Sequence, residues 1–356
     1  MARAQAAAVG VMFGAISIAA MPSSVWADAP LTDVARAPSA QGTSKFAGSY
    51  AEGSTYVAPS SFYTSGYRDP YVSLALYVKP VYDLGTRYKL ALTGRLYLEE
   101  ELTSPDNPAG RRFYPYDIWV QLTAQNLHTF ERSKIRIGGY GRVILPLSYE
   151  SRYSHLVAGV GGGPTVNRDF VFGWVNDEAR KWTLKLTYVL AGYKWLQTSE
   201  FRGSGPGDST GCLAPPGGAP GSSFAGSGGP AVSAADRCGG PANTNYTLAD
   251  IFIMSLSRGK WSAMVNLLIQ NDFKYAFPSD ALAAGNSVPA GRVDSTWGII
   301  ALNYQLRPHM GLAAGVSSMQ PALDSRYRYP RFPFFDFSGT NANNYTQFFL
   351  SVNGSL

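Results

Sequence analysis

The sequence predicts an all-β protein, a transmembrane antiparallel β-barrel of about twelve strands. Three observations predict it: an export signal at the start, strand-like segments joined by alternately short and long connectors, and an alternating segment at the end. In residues 344–356, Phe348, Leu350 and Val352 share one face, and polar residues such as Ser351 share the other. An exported chain without a long apolar helix can cross a membrane only as a closed barrel.

The first 27 residues are predicted to be a signal peptide. Arg3 supplies the basic start, an uncharged apolar run covers Ala6 to Met21, and Ala27 ends a small-residue cleavage site. A membrane-spanning anchor is disfavoured because Gly and Ser interrupt that run. Residues 28–45, rich in Ala, Pro and Ser, are predicted to be a flexible lead or, alternatively, a plug inside the barrel.

The composition fits a barrel and excludes some partners. Aromatic residues reach 13% and charged residues only 15%, as expected when aromatic girdles flank an apolar lipid-facing band. The formal net charge of +6, or about +5 once Arg3 is removed with the signal peptide, is a mild excess for 356 residues, so no nucleic-acid partner is predicted.

The clearest predicted strand covers residues 88–102. Leu90 and Leu92 lie on one face, while Arg95 and Glu99 lie on the other. Charged groups that recur at every second residue are costly in lipid, so their face is predicted to line the interior. The other predicted strands span residues 71–84, 117–127, 134–147, 155–167, 182–196, 246–257, 261–273, 295–306, 310–319 and 344–356.

These segments number eleven, and bacterial barrels normally have an even number of strands. We therefore place a twelfth, weaker strand at residues 46–59, so that the barrel covers residues 46–356. Counts of ten or fourteen stay open, because that first strand is weak and residues 168–181 could hide a hairpin rather than form a long inner turn.

Connector length predicts the orientation of the barrel. Short connectors at 85–87, 128–133, 258–260 and 307–309 are expected to be periplasmic turns, and the long connectors are expected to be extracellular loops. The longest, residues 199–245, contains both cysteines of the chain, Cys212 and Cys238. In an exported protein the two most simply form a disulfide, worth roughly 3 kcal/mol for a loop of this size.

The predicted interior face carries a mixed, mainly basic set of side chains. The candidate pore-lining residues are Lys89, Arg95, Glu99, Asp117, Arg136, Tyr140, Arg142 and Lys185. Arg95 and Arg142 lie on strands two apart, which predicts a separation of roughly 10 Å and an attraction for anions. Alternatively, these bases pair with Glu99, Asp117 or Asp272 and fill the barrel.

Several bulky apolar residues share the interior parity and predict a narrow passage. They are Ile144, Val189, Trp195, Met264, Leu268 and Ile299. The conductance of a wide general porin is therefore not expected.

The predicted outer loops are rich in arginine and aromatic residues. Segments 111–116, 149–155 and 326–337 fit contact with lipopolysaccharide and outer-membrane lipid, or alternatively capture of an anionic or sugar-like ligand.

The last strand also fits recognition by the barrel assembly machinery, although Leu356 replaces the terminal Phe common in such barrels. We expect a monomer.

No catalytic, metal or cofactor site is predicted. Outer-membrane phospholipases, also twelve-stranded, have a catalytic His and Ser separated by one residue, whereas His155 here is followed by Leu156 and Val157. The run Gly159 to Gly163 lacks the helix and Lys-Ser/Thr pair of a phosphate loop and fits strand curvature or close packing against a plug. The histidines and cysteines lack metal-ligand spacing.

In size the chain resembles the monomeric twelve-stranded channels of the bacterial outer membrane, which include nucleoside and acidic-oligosaccharide porins. The resemblance rests on alternation and loop lengths over residues 46–356 and transfers no binding residue. It implies an outer-membrane channel or transporter for small solutes, with anions slightly favoured. The alternatives are a non-conducting surface-binding or structural barrel and, less favoured, a lipid-modifying enzyme.

Overall fold

The computed structural model describes residues 44–62, 71–85, 87–103, 111–173, 181–198, 243–275, 291–321 and 346–355. The strands are β1 Tyr50–Val57, β2 Val72–Lys79, β3 Val81–Asp83, β4 Leu90–Glu101, β5 Arg112–Pro115, β6 Ile118–Phe130, β7 Ile135–Leu145, β8 Leu156–Phe172, β9 Trp182–Gln197, β10 Thr244–Arg258, β11 Trp261–Lys274, β12 Arg292–Arg307, β13 Met310–Pro321 and β14 Thr346–Ser355. A short helix, α1 Tyr149–Tyr153, lies between β7 and β8, and a 3₁₀ turn covers Pro59–Phe62.

The strands form one closed antiparallel barrel. β1 pairs with β2 on one side and with β14 on the other, so that Tyr50 lies opposite both Lys79 and Ser355. The fourteen described segments occupy twelve positions, because β2 and β3 both pair with one side of β4, and β5 and β6 both pair with its other side. Pro80, which lacks an N–H, separates β2 from β3. The predicted barrel of twelve strands is confirmed.

The weak first strand is present as Tyr50–Val57, within the predicted range, whereas the end of β8 differs from the prediction. β8 continues to Phe172, so the prediction that Arg168 begins an inner turn is wrong. Arg168 and Asp169 pair with β9 in regular register, and the Arg168 guanidinium lies 4.2 Å from the Phe170 ring centroid. A long basic side chain near a strand end can extend beyond the apolar band, so a charge there does not end the strand.

The outward face of the barrel is a largely apolar band, interrupted on β10 by Asp250, whose carboxylate accepts a hydrogen bond from the exposed Tyr188 hydroxyl. On β14, Phe348, Leu350 and Val352 are 41%, 61% and 48% exposed, as their alternation predicts. Aromatic pairs mark both edges: Trp261 with Tyr304 near the short turns and Tyr246 with Phe273 near the long connectors. An exposed apolar surface of this extent between aromatic girdles matches a lipid bilayer. Among the described residues, no helix is both long and apolar enough to cross a membrane.

An arginine placed within this band should destabilise the barrel according to its depth. Leu350→Arg, at the centre of β14, is expected to lower the free energy of unfolding by about 2–4 kcal/mol, because a guanidinium in hydrocarbon loses its hydration. Leu306→Arg, on an outward residue near the β12–β13 turn, should cost no more than about 1 kcal/mol. Urea titration in lipid vesicles measures both, and equal costs would show that the band does not contact lipid.

The interior is lined by two groups of buried apolar side chains. One group runs along β10 to β14 and onto β1 and β2 and includes Met264, Ile299 and Phe349. The other runs along β6 to β10 and includes Trp119, Ile144 and Trp195. The end of the barrel that carries the short turns, where β14 also terminates, is called the inner end below. The opposite end of the barrel is called the outer end.

Candidate functional site

The most distinctive feature of the interior is Arg142, which is surrounded by aromatic rings. Its guanidinium carbon lies 4.2 Å from the ring centroid of Trp119, 5.3 Å from that of Tyr140 and 5.8 Å from that of Tyr193. Its Nε and Nη2 donate hydrogen bonds of 2.9 and 2.7 Å to the Gln121 side-chain oxygen. Cation–π contacts within about 6 Å and two hydrogen bonds hold the cation in one place.

The strand register explains this arrangement. Arg142 lies directly opposite Gln121 in the β6–β7 ladder, and Ile144 lies opposite Trp119. All four residues therefore point to the interior, since side chains two apart on a strand share a face. A hydrogen bond between directly opposite residues needs no distortion of the ladder.

Glycines on β8 allow residues of β9 to reach across to β7. A Cβ on Gly161 would lie 2.3 Å from the Tyr193 ring, and one on Gly159 would lie 2.5 Å from the Trp195 ring. Because both positions lack a side chain, Tyr193 extends over β8, and its hydroxyl lies 2.9 Å from that of Tyr140. The predicted close packing at this glycine run therefore involves the rings of the barrel wall itself.

Trp195 is anchored by a polar network on β10 and β11. Its ring stacks on Tyr193 at 6.2 Å with an interplanar angle of 17°, and its Nε1 donates to the Thr247 hydroxyl at 3.0 Å. Thr247 donates in turn to Asp272 at 2.5 Å, and Gln270 donates to the same carboxylate at 2.8 Å. We call Trp119, Tyr140, Arg142, Tyr193 and Trp195 the aromatic–arginine strip.

The strip has a buried part and an accessible part. Trp119, Tyr193 and Trp195 are only 3–4% exposed, whereas Tyr140 and Arg142 are half-buried. Towards the inner end the same face continues with polar side chains that water reaches. This inner vestibule consists of Thr123, Gln125, Arg136, Asn167, Asp169, Lys185 and Thr187. The strip thus lies on the outer-end side of a polar vestibule.

The predicted bases in the vestibule face a carboxylate. Arg136 forms a 2.6 Å ion pair with Asp169, with 39% and 37% of their side chains exposed. Lys185 lies opposite Asp169 in the β8–β9 ladder. Lys89, which was also predicted to line the interior, does not belong to a strand of the wall. It is exposed in the turn before β4, with a φ of 50°.

Arg95 lies in a different environment from Arg142. It is 3% exposed, and its guanidinium carbon lies 6.0 and 5.5 Å from the ring centroids of Tyr77 and Tyr97. In the ladders, Arg95 pairs with Trp119 and Arg142 pairs with the residue two further along β6. The two arginines therefore lie near one level of the barrel, with β6 between their strands.

Buried carboxylates occupy the wall near Arg95. Glu99 is 7% exposed and accepts hydrogen bonds from Ser73 at 2.7 Å, Tyr116 at 2.8 Å and the Tyr71 hydroxyl. Glu52, 4% exposed, accepts from Ser54 at 2.7 Å and from a tyrosine hydroxyl. Glu52 is absent from the sequence-based candidates, although its parity on the first strand would have placed it in the interior. Glu52 and Glu99 thus form an acidic sector of the interior beside the aromatic–arginine strip.

Asp117 fastens the connector between β7 and β8. Its carboxylate accepts hydrogen bonds from the backbone N–H groups of Leu147 at 2.9 Å and Ser148 at 2.8 Å, and from the Ser151 hydroxyl. Leu156, just after this connector, packs into the same apolar group as Trp119. We call Asp117, Ser148 and Ser151 the outer latch, since they hold the connector at the outer end of the strip.

Among the described residues, no group of His, Cys, Asp and Glu is arranged to hold a metal ion.

Cys212 and Cys238 lie outside the described residues, as do residues 28–43 of the predicted lead. The disulfide and the plug therefore stay predictions.

No protein-family model and no curated protein sequence matches this chain. Among solved structures, the COG4313 outer membrane channel from Pseudomonas putida F1 is similar with a TM-score of 0.43 and 9% identity, over 86% of this chain and 96% of that chain. The β domain of the Bordetella autotransporter Brka is similar with a TM-score of 0.35 and 11% identity, over 86% of this chain and 99% of that chain. Similarity at this level does not extend to function.

Proposed function

We propose that this protein is an outer-membrane channel for small solutes that passes anions in preference to cations. The observation that supports it is the position of Arg142 on the interior wall, where the accessible vestibule meets the buried rings. A fixed cation at a constriction is how many pores select for anions. The apolar outward band supports the membrane location.

Gln121 fixes the orientation of Arg142. Its uncharged amide oxygen accepts both hydrogen bonds and orients the guanidinium without adding a negative charge. The surrounding rings lower the local dielectric constant, so the charge acts more strongly on a nearby anion than it would in water. We expect the anion preference to be modest, since the acidic sector around Glu99 lies on the same interior wall.

The channel is narrow. Ile144, Met264 and Ile299 point to the interior and are each 1% exposed, although side chains that line a wide aqueous lumen would contact water. Large interior side chains at these positions leave room for small solutes only. We therefore expect a single-channel conductance well below that of a general porin.

Ion selectivity tests this function. In planar bilayers under a salt gradient, the wild-type reversal potential is expected to show anion preference, and Arg142→Gln should reduce or abolish it. The control Lys134→Gln removes the same charge from a side chain that is 70% exposed in an inner turn, and it should leave the reversal potential unchanged. Cation preference in the wild type, or an unchanged preference in Arg142→Gln, would refute the role of Arg142.

A non-conducting surface-binding or structural barrel is the second candidate. The burial of both apolar groups of the interior favours it, because a fully packed lumen conducts nothing. Folded protein that inserts into bilayers without any single-channel current would establish this alternative.

A further inference from the structure

We infer that the outward surface of β9 to β12 has, at its outer edge, a binding site for a lipid whose sugar headgroup bears a phosphate at each end. This inference rests on the membrane location in the proposed function and adds a ligand that does not pass through the channel. A row of four outward side chains carries it. The row consists of Lys194, Tyr246, Phe273 and Arg292, and we call it the outer row.

Strand register places the outer row at one level of the barrel. Tyr246 lies opposite Lys194 in the β9–β10 ladder and opposite Phe273 in the β10–β11 ladder. Phe273 in turn lies opposite Arg292 in the β11–β12 ladder. Tyr246 has the outward parity of Leu248, and directly opposite residues share a face, so all four point outward. Because neighbouring strands lie about 4.8 Å apart, the backbones of the two cations are roughly 14 Å apart.

Two stacked rings separate these cations. The ring centroids of Tyr246 and Phe273 lie 4.4 Å apart with an interplanar angle of 13°, and Tyr246 is 42% exposed. The Arg292 guanidinium carbon lies 5.6 Å from the Phe273 centroid, and the Lys194 ammonium lies 5.4 Å from the ring centroid of Tyr275. Aromatic side chains on a lipid-facing surface favour the level of the headgroups. The rings therefore place both cations at that level.

Both cations are accessible to a phosphate. Lys194 is exposed, and its ammonium donates a hydrogen bond to the uncharged side chain of Asn245. The Nε of Arg292 donates to Asp294 at 2.5 Å, whereas its terminal Nη groups have no acceptor among the described residues. With 52% of the Arg292 side chain exposed, this ion pair is weak, and a phosphate carries more negative charge than a carboxylate. A phosphate can therefore bind Arg292 in competition with Asp294.

The spacing of the cations favours a headgroup with two separated phosphates. A lipid with one phosphate can contact only one end of the outer row, whereas a disaccharide with a phosphate at each end reaches both. Towards the middle of the band, Leu190, Leu248 and Ile269 are 42–44% exposed and provide an apolar surface for acyl chains, with Asp250 as the polar residue among them. The outer row thus matches both parts of such a lipid.

Three lipids test the inference. Diphosphoryl lipid A has both phosphates on a disaccharide, monophosphoryl lipid A has one, and cardiolipin has two phosphates joined by a short glycerol. Native mass spectrometry of the full-length folded protein in detergent measures their affinities. Diphosphoryl lipid A is expected to bind at least fivefold more tightly than either other lipid. Equal affinity for the monophosphoryl form, or for cardiolipin, would overturn the inference.

Variants locate the site on the barrel surface. Lys194→Gln and Arg292→Gln should each lower the affinity for diphosphoryl lipid A about fivefold, and Asp294→Asn should raise it, because that change removes the competing carboxylate. The matched control is Arg258→Gln. Arg258 is exposed at the inner end, with its guanidinium carbon 5.1 Å from the Trp182 ring centroid, and its loss should leave the affinity unchanged. An equal loss of affinity in Arg258→Gln and Arg292→Gln would show that only net charge attracts the lipid.

The binding measurement is independent of conduction. Lipid binding that depends on the outer row, in a protein without single-channel current, would refute the channel function and keep the site. Anion-selective current without a preference among the three lipids would refute the site and keep the channel. Heat-modifiable mobility on gels verifies that each variant is folded.

Discussion

Gly161→Ala is expected to destabilise the barrel by about 1–3 kcal/mol and to abolish the proposed anion preference. The new Cβ would lie 2.3 Å from both the Gly192 carbonyl oxygen and the Tyr193 ring. Neither contact is tolerable, so β8 and β9 must separate or Tyr193 must leave its place beside Arg142. Overpacking of a rigid interior typically costs this amount.

Gly141→Ala is the matched control for Gly161→Ala. Gly141 lies on β7 beside Arg142 but points outward, and a Cβ there meets nothing within 4 Å. We expect a change in stability of less than about 0.5 kcal/mol and unchanged ion selectivity. Urea titration in vesicles and reversal potentials measure the two effects. If Gly161→Ala is as stable and as selective as Gly141→Ala, the glycine run does not shape the strip.

Asp117→Ala is expected to release the connector between β7 and β8 and to cost about 3 kcal/mol. The substitution leaves two backbone N–H groups and the Ser151 hydroxyl without their acceptor, and Ser151 is fully buried. Hydrogen bonds to a carboxylate contribute about 1.5–3 kcal/mol each, and partial access of water offsets part of their loss. We also expect larger and noisier single-channel currents, because this connector lies at the outer end of the strip.

Asp117→Asn changes the hydrogen bonds of residue 117 while keeping the size of its side chain. The amide oxygen can still accept from Leu147 and Ser148, whereas the amide nitrogen cannot accept from Ser151. Its stability should therefore lie between those of the wild type and Asp117→Ala. Limited proteolysis within residues 147–155 and urea titration measure the release. Equal protease resistance in all three proteins would show that the outer latch does not hold the connector.

The alternation of side chains was sufficient to predict which residues of β7 and β14 face the interior. On β7, Tyr140, Arg142 and Ile144 lie where a period of two places them, and on β14 the outward positions are equally regular. Alternation depends only on the pleat of each strand, so it can be predicted without knowing which strands pair. Tyr193 has the same parity as Trp195 and could have been found in the same way.

The neighbours of each interior residue could not be predicted. The approach of Tyr193 to Tyr140 spans a whole strand and requires that Gly161 lie between them, which depends on register across three strands. Asp117 was predicted to line a pore, and its interior parity is correct, but its contacts with Ser148 and Ser151 arise from the path of a connector. Parity carries no information about loop paths.

Cysteine accessibility tests most directly whether solutes pass through the interior up to the strip. In a Cys212→Ser, Cys238→Ser background, Thr123→Cys places a thiol on the vestibule wall, and Leu122→Cys places one on the adjacent outward residue, which is 46% exposed. A negatively charged, water-soluble thiosulfonate reagent is expected to reduce the single-channel current of Thr123→Cys strongly and to leave that of Leu122→Cys unchanged. If Thr123→Cys is labelled, as verified by mass spectrometry, and its current does not change, the conducting path does not run through this interior.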